Sequence, residues 1–462
     1  MKIPHFVIIK VILVLIMTAC LAEPALSSSS GTQSGETQEL TLSLAVSMAM
    51  QNNPLLRAAQ YGREIADAQV EEAQAGRWPM LQFSETFTRS NNPVFAFGSL
   101  LEQGHFEPSN FDIISLNNPD PLNNFRTALN LRVPIFDQLA SGTRIAQARI
   151  GQEQADHRND LFRQQVRMEV VRTYYGVLVA QARKEVTAEA VKMSEADGKR
   201  IRDRFNTGII VQSDLLAAEV QIADFRQQQI QAEGELVTAY AALNTALGLP
   251  VSTPQDISGV LAEKTFSVGD LEELLRSALF NRPDYSHAVS GVRSSEESVR
   301  GAWGQYLPRV DFFTSYGISG RDLSSGSSDY MVGAGLTYNI FDLGRSGKLD
   351  QARASQSMAI AEQEHLANQI RFEVMRAYQQ FISAQGRVKV AGGTVDQAQE
   401  VLRIVQDRYQ TGMTTITEVL RAQTTLVRTR LNLLAARYEK FIGYAQLLLS
   451  CGQLIDIQEF ES

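Results

Sequence analysis

Apolar and polar residues alternate along four short stretches of this chain and recur with helical spacing over most of the rest. Leu81, Phe83 and Phe87 fall on one face of a period-2 pattern, and Gln82, Ser84, Thr86 and Thr88 on the other. Phe125, Thr127, Leu129, Leu131, Val133 and Ile135 lie opposite Arg126, Ala128, Asn130 and Arg132. A third stripe, Val310, Phe312, Tyr316 and Ile318, opposes Asp311, Ser315 and Ser319. A fourth, Val332, Ala334, Leu336, Tyr338 and Ile340, opposes Gly333, Gly335, Thr337 and Asn339. Such alternation predicts four strands, each with an apolar and a polar face. An Asn/Pro/Gly-rich loop is expected over 90–124 between the first two, and a shorter loop over 322–329 between the last two.

The helical stretches are long. Residues 143–205 contain no proline, which predicts roughly 90 Å of continuous helix at 1.5 Å per residue. Residues 350–409 read alike, and 213–247 and 417–448 read as shorter return helices. A leading helix over 42–77 is broken near Asn52-Asn53-Pro54, and Pro79 marks the change to extended chain. Small apolar residues at seven-like spacing, Ala217, Val220 and Ala223 with Leu216, predict a close helix–helix seam.

Each half therefore reads helix, strand, loop, strand, long helix, turn, helix, and the halves repeat one another. Arg204-Phe205-Asn206-Thr207-Gly208 returns as Arg408-Tyr409-Gln410-Thr411-Gly412, an offset of 204. The same offset carries Tyr174 to Tyr378 and Gly248 to Gly452. Pro54 and Pro79 recur as Pro283 and Pro308 at an offset of 229, and Ile135-Phe136-Asp137 returns as Ile340-Phe341-Asp342. A duplication of this length fixes the architecture before any local detail. The expected segments are a signal peptide over 1–20, a flexible linker over 21–39, a first repeat over 40–250, an inter-repeat segment over 251–269, a second repeat over 270–452 and a tail over 453–462.

Four strands per chain cannot close a barrel, and an open sheet edge in lipid leaves backbone groups unpaired. Either several chains share one barrel, or the strands are ordinary hairpins packed on a core. Helix length favours the first reading, because a compact globule has no room for such helices. After residue 20 no apolar run is long enough to span a bilayer as a helix, so any membrane crossing would be made by strands.

Composition trims the alternatives. The net charge of −8 argues against a nucleic-acid partner. Lys2 and Lys10 precede an apolar run at 11–19, which reads as an export signal. Cys20 follows Met17-Thr18-Ala19 and suggests lipoprotein processing, with cleavage after Ala22 as the alternative. Signal removal leaves Cys451 without an intrachain disulfide partner, so stability must come from packing or assembly. No catalytic constellation stands out. The five histidines lack metal-ligand spacing, and Gly344-Arg345-Ser346-Gly347-Lys348 has the wrong glycine spacing for a phosphate loop, with Leu349 in place of its hydroxyl. No enzyme activity and no cofactor are expected.

With Asn52-Asn53-Pro54, the Pro79 and Pro308 strand entries, Val133-Pro134-Ile135-Phe136-Asp137 and two Arg-aromatic-x-x-Gly turns in order, the chain resembles the TolC-like outer-membrane efflux family over about 40–452. The resemblance implies a mainly α fold with a membrane β-barrel. Three chains would contribute twelve strands to a shared barrel in outer-membrane lipid, and their coiled-coil helices would form a periplasmic tunnel. It implies a passive exit duct for efflux or type I secretion, working with a periplasmic adaptor and an inner-membrane pump. The turns at Gly208 and Gly412 would be the adaptor-docking tips. The periplasmic gate would comprise Tyr409 hydrogen-bonded to Asp214, with Ser213 beside it. Thr414 stands where the best-known member has an arginine link. Glu418 and Arg421 stand where it has two acidic residues; on the helix alone they read equally as an i, i+3 ion pair. A periplasmic coiled-coil scaffold without a pore is the competing function.

Overall fold

The computed structural model describes residues 39–454 except 258, 260, 262 and 263, together with Phe460. The expected signal peptide, the linker up to residue 38, Cys20 and most of the C-terminal tail lie outside the described residues. In chain order the elements are α1 (Leu42–Asn52), α2 (Pro54–Ala75), β1 (Met80–Ser90), α3 (Pro93–Glu102), a 3-10 turn (Pro108–Phe111), α4 (Ile113–Asn117), β2 (Leu122–Asp137), α5 (Ala140–Asn206), α6 (Gln212–Leu247), α7 (Leu271–Asn281), α8 (Pro283–Gly304), β3 (Arg309–Asp322), β4 (Ser325–Thr337), α9 (Gly344–Gln410) and α10 (Ile416–Ser450). The two long helices, α5 and α9, are each 67 residues.

Local chemistry sets the boundaries. The Thr41 hydroxyl accepts from Leu44 N at 3.2 Å and caps α1. Asn53 Oδ1 accepts from Leu55 N at 2.9 Å to start α2, with Pro54 at the first helical position, where its missing N–H costs nothing. All four helices of the two long hairpins end alike. Gly208, Gly248, Gly412 and Gly452 have φ of 76°, 75°, 75° and 70°. At each, the glycine N–H bonds the carbonyl three residues back and the next N–H bonds the one five back, as in Gly208 to Phe205 (2.9 Å) and Ile209 to Arg204 (3.0 Å).

The chain forms two compact units. One comprises Gln69–Ala148 and Glu296–Ala354. Its four strands make one antiparallel sheet in the order β1-β2-β3-β4, so the β2–β3 pairing joins the two halves of the duplication. Strand register puts Gln82, Ser84, Thr86 and Thr88 on the same face as Asn130, Ala128, Arg126 and Asn124. The opposite, apolar face is open: Leu81, Phe83, Phe87, Leu129, Tyr316, Tyr330, Val332 and Leu336 are all exposed. A break in register at Pro134 agrees with a residue that cannot donate to the ladder.

Three expectations change here. Residues 91–121 are not a plain loop: α3, the 3-10 turn and α4 lie there, each capped locally, with Asn92 Oδ1 accepting from Phe95 N and Asp112 Oδ2 from Ser115 N. The 322–329 loop shrinks to Leu323-Ser324, because β3 and β4 continue pairing through Asp322 and Ser325. The fourth strand also stops at Thr337, short of Tyr338 and Ile340.

The other unit comprises residues 39–68, 149–295 and 355 onward. Its largest core joins α1, α5, α6, α9 and α10 with the inter-repeat segment. Phe266 from that segment stacks on Tyr444 (4.2 Å between ring centroids), meets Phe441 edge-on (5.3 Å) and lies 5.8 Å from Phe460. Cys451, a free thiol, is fully buried, and burial raises its pKa. The α6 seam differs from expectation. Ala218, Phe225 and Ala232, seven apart, are buried along that stretch, whereas Ala217, Val220, Ala223 and Leu216 face outward. A second seven-spaced stripe on the outer face, Leu216, Ala223, Ile230 and Val237, leaves Ile230 and Val237 71% exposed.

Candidate functional site

The two tips close by the same backbone device. Thr207 and Thr411 hydroxyls return a bond to the helix, to Asp203 O and Asp407 O respectively, each at 3.2 Å. A Cβ on Gly208 or Gly412 would meet nothing within 4 Å, so positive φ alone calls for glycine there. The tips are exposed apart from the buried cluster behind them, Ile201, Ala218, Ala398, Leu402, Ile416, Val419 and Leu420.

Tyr409 packs against that cluster, and its hydroxyl is buried without a hydrogen-bond partner. The expected bond to Asp214 is therefore not made within the chain. The ring sits under the Arg204 guanidinium instead, 5.0 Å from its centroid, where the cation meets the negative face of the π system. Asp214 lies in the first turn of α6, where its negative charge complements the helix N-terminus. Ser213 beside it is exposed, and Thr414 is half-buried in the second turn. Glu418 and Arg421 form an i, i+3 ion pair at 3.1 Å, both side chains exposed.

Sequence reasoning missed a polar link between the halves. Asp197 on α5, nearly buried, accepts from Gln423 Nε2 on α10 and pairs with Arg200. Gln423 is fully buried, and its Oε1 has no partner. Asp197, Arg200, Arg204 and Tyr409 line one cavity of about 360 Å³ with Ile201, Gln406 and Val419. Nothing in the local pattern singled out Asp197 or Gln423, since both look like ordinary polar helix residues until the helices are paired. Among the described residues no cluster of His, Cys, Asp or Glu is arranged to hold a metal ion.

Comparison with known proteins bears on the same elements. The model of the outer membrane efflux protein family matches residues 45–249 and 274–453. Protein CyaE of Bordetella pertussis is 26% identical over 440 residues, covering 92% of this chain and 85% of that protein. Outer membrane protein TolC of Vibrio cholerae is 22% identical over 441 residues, covering 93% and 94%. Among solved structures, the Campylobacter jejuni CmeC outer membrane channel superposes with a TM-score of 0.78 at 17% identity, over 94% of each chain. The open state of the Neisseria gonorrhoeae MtrE outer membrane channel gives 0.72 at 18% identity, over 89% of each.

Proposed function

The chain belongs to the outer membrane efflux protein family, and from that premise we propose that it is a passive outer-membrane exit duct for a tripartite efflux or type I secretion system. The observation that carries this reading is the open apolar face of the sheet, whose outer strands β1 and β4 each pair on one side only within the chain. An apolar face suits lipid, and an unpaired edge does not, so a second and third copy must supply the missing neighbours. Three chains make twelve strands with no edge. The seven-spaced stripe Leu216, Ala223, Ile230 and Val237 on α6 supplies a matching apolar surface between copies in the helical part, where the helices line a periplasmic tunnel.

In this reading the duct comprises a first repeat over 40–250, a second over 270–452 and the linking segment 251–269. The tips at Gly208 and Gly412 meet a periplasmic adaptor, and the energy comes from an inner-membrane pump. The entrance is formed by Tyr409, Asp214, Ser213, Thr414, Glu418 and Arg421. The unsatisfied Tyr409 hydroxyl and the cavity behind it supply room for the second tip to shift against the first.

The test is the mass of the protein extracted by detergent from outer membranes, by light scattering with detergent subtracted. A particle of three chains in that fraction is expected. A monomer or dimer in the soluble periplasmic fraction would overturn the duct and leave the coiled-coil scaffold.

A further inference from the structure

The polar face of the sheet is not bare at its far end. The strand ends that lead to helices lie at one end of the sheet, and the 91–121 insertion lies at the other, between Ser90 of β1 and Leu122 of β2. The insertion does not project away from the sheet. Helix α3 folds back and lies near β2, β3 and β4. Its buried residues Ala96 and Ser99, continued by Gln103, fall at i, i+3 and i+7, a single helix stripe.

The contacts are polar and converge on one side chain. Arg126, on the polar face of β2, reaches across β3 to make a two-pronged pair with Asp329 of β4, at 3.0 and 3.1 Å. The same guanidinium donates to Ser319 Oγ at 2.9 Å and lies 3.5 Å from Glu102 at the end of α3. Ser319 is completely buried. Gly317 makes the crossing feasible: a Cβ there would stand 3.0 Å from Arg126 Nη2 and 3.3 Å from an Asp329 oxygen. The next residue contributes too: Gln103 Nε2 donates to Asn123 O (2.8 Å) and Asn124 Oδ1 (3.0 Å). Its Oε1, buried, has no partner. Beside the small buried Ala96, the helix is thus tied to the sheet by a few directional bonds to charged and amide groups, one of them incomplete. Such a contact is specific in place and open to release, because each of its groups is equally well served by water.

We propose that the 91–121 insertion is a lid over the outer mouth of the duct, held on the luminal face of the sheet by Arg126. This rests on the duct reading, in which the polar face lines the lumen. By lying on that face at the end remote from the helices, each copy narrows the exit, and substrates of a size to displace α3 are those that pass. The insertion has no counterpart between β3 and β4, where Leu323-Ser324 turns the chain directly, so each protomer contributes one lid.

The experiment reads access from outside, which does not depend on the periplasmic entrance. Gln82, exposed on the polar face, lies four residues beyond the Thr86–Arg126 row from the mouth, about 13 Å at 3.3 Å per residue. Gln82→Cys in the full-length protein is labelled on intact cells with a small charged maleimide and with one carrying a kilodalton-sized polyethylene glycol, read at residue 82 by peptide mass. Phe83→Cys serves as the lipid-facing control. With the bulky reagent, Arg126→Ala and replacement of 91–121 by Asn-Gly should each accelerate labelling tenfold or more. The pair Gly104→Cys with Ser327→Cys, whose Cβ atoms would lie about 3.4 Å apart, should hold labelling slow until reduced. The locked and reduced forms are the same polypeptide, so a folding defect cannot imitate that difference. Equal labelling of the parent and the lidless protein by the bulky reagent would overturn the lid while leaving the duct intact. Failure of even the small reagent to reach residue 82 without the insertion would overturn the duct itself.

Discussion

Between its strands the first half of the chain inserts residues 91–121, with α3 and α4, whereas the second half turns from β3 to β4 through Leu323-Ser324. Where the helices return, the halves match to the residue. Gly248 packs so closely on the α1–α2 junction that a Cβ would stand 2.6 Å from Asn52 O. Gly452 does the same to the α7–α8 junction, 2.8 Å from Asn281 O. Asn53 then donates to Ala246 O at 2.9 Å, and its counterpart Arg282 donates to Ser450 O at 3.3 Å. The duplication has kept positions whose backbone conformation and clearance admit one solution, and has let go of a connection at the rim, where length is tolerated.

The sharpest test of that contrast sets the two kinds of glycine against each other. Gly248→Ala and Gly452→Ala should each cost about 3 kcal/mol or more, since strained φ and a backbone collision add. Gly208→Ala and Gly412→Ala, with free space around them, should cost only about 1 kcal/mol. Thermal unfolding of the protein measures both, and equal losses at both ends would mean that the close approach contributes nothing.

A second test separates the halves where the matching positions carry different chemistry. Arg282 pairs with Asp284 and Glu373, at 2.6 and 2.7 Å, and its side chain is 13% exposed. Arg282→Ala leaves two carboxylates without their cation and should cost about 3 kcal/mol. Asn53→Ala removes one amide bond and should cost about 1 kcal/mol. Denaturant midpoints of the two variants decide it, and a larger loss at Asn53 would reverse the reading.

The smallest effect is expected at the tips, where Phe205 of the first copy becomes Tyr409 in the second. Its hydroxyl has no partner, so Tyr409→Phe should leave stability unchanged or raise it by up to about 1 kcal/mol. Single-channel conductance should also match the parent. A more conductive Tyr409→Phe channel would show that the hydroxyl does bond across the entrance in the working assembly.

Much of the architecture was legible because it is periodic. The strands, their two faces, the hairpin turns and the long helices follow from spacing and from Gly and Pro at fixed offsets. What escaped was decided by tertiary partners. The apolar set around Leu216 and Val220 predicts a helix–helix seam, but within the chain Phe225, a larger residue on the neighbouring stripe, takes the core. The Ser-rich start of β4 reads as loop, and pairing with β3 extends it. In the insertion, Asn92-Pro93 is a helix start that composition masked. The site was less legible still. No spacing rule indicates that Arg204, one helix away, takes the ring of Tyr409, or that Asp197 and Gln423 meet.

The unpaired edges of the sheet also have a genetic consequence. A barrel closed by three chains has no working form with one chain missing, and a subunit that folds but cannot pair at β1 or β4 spoils the two sound copies it joins. Expressed at equal level beside the parent and mixing at random, such a variant should leave about one assembly in eight wholly parental. A lesion at the strand edge is then dominant, whereas one that unfolds the chain before it meets its partners is recessive.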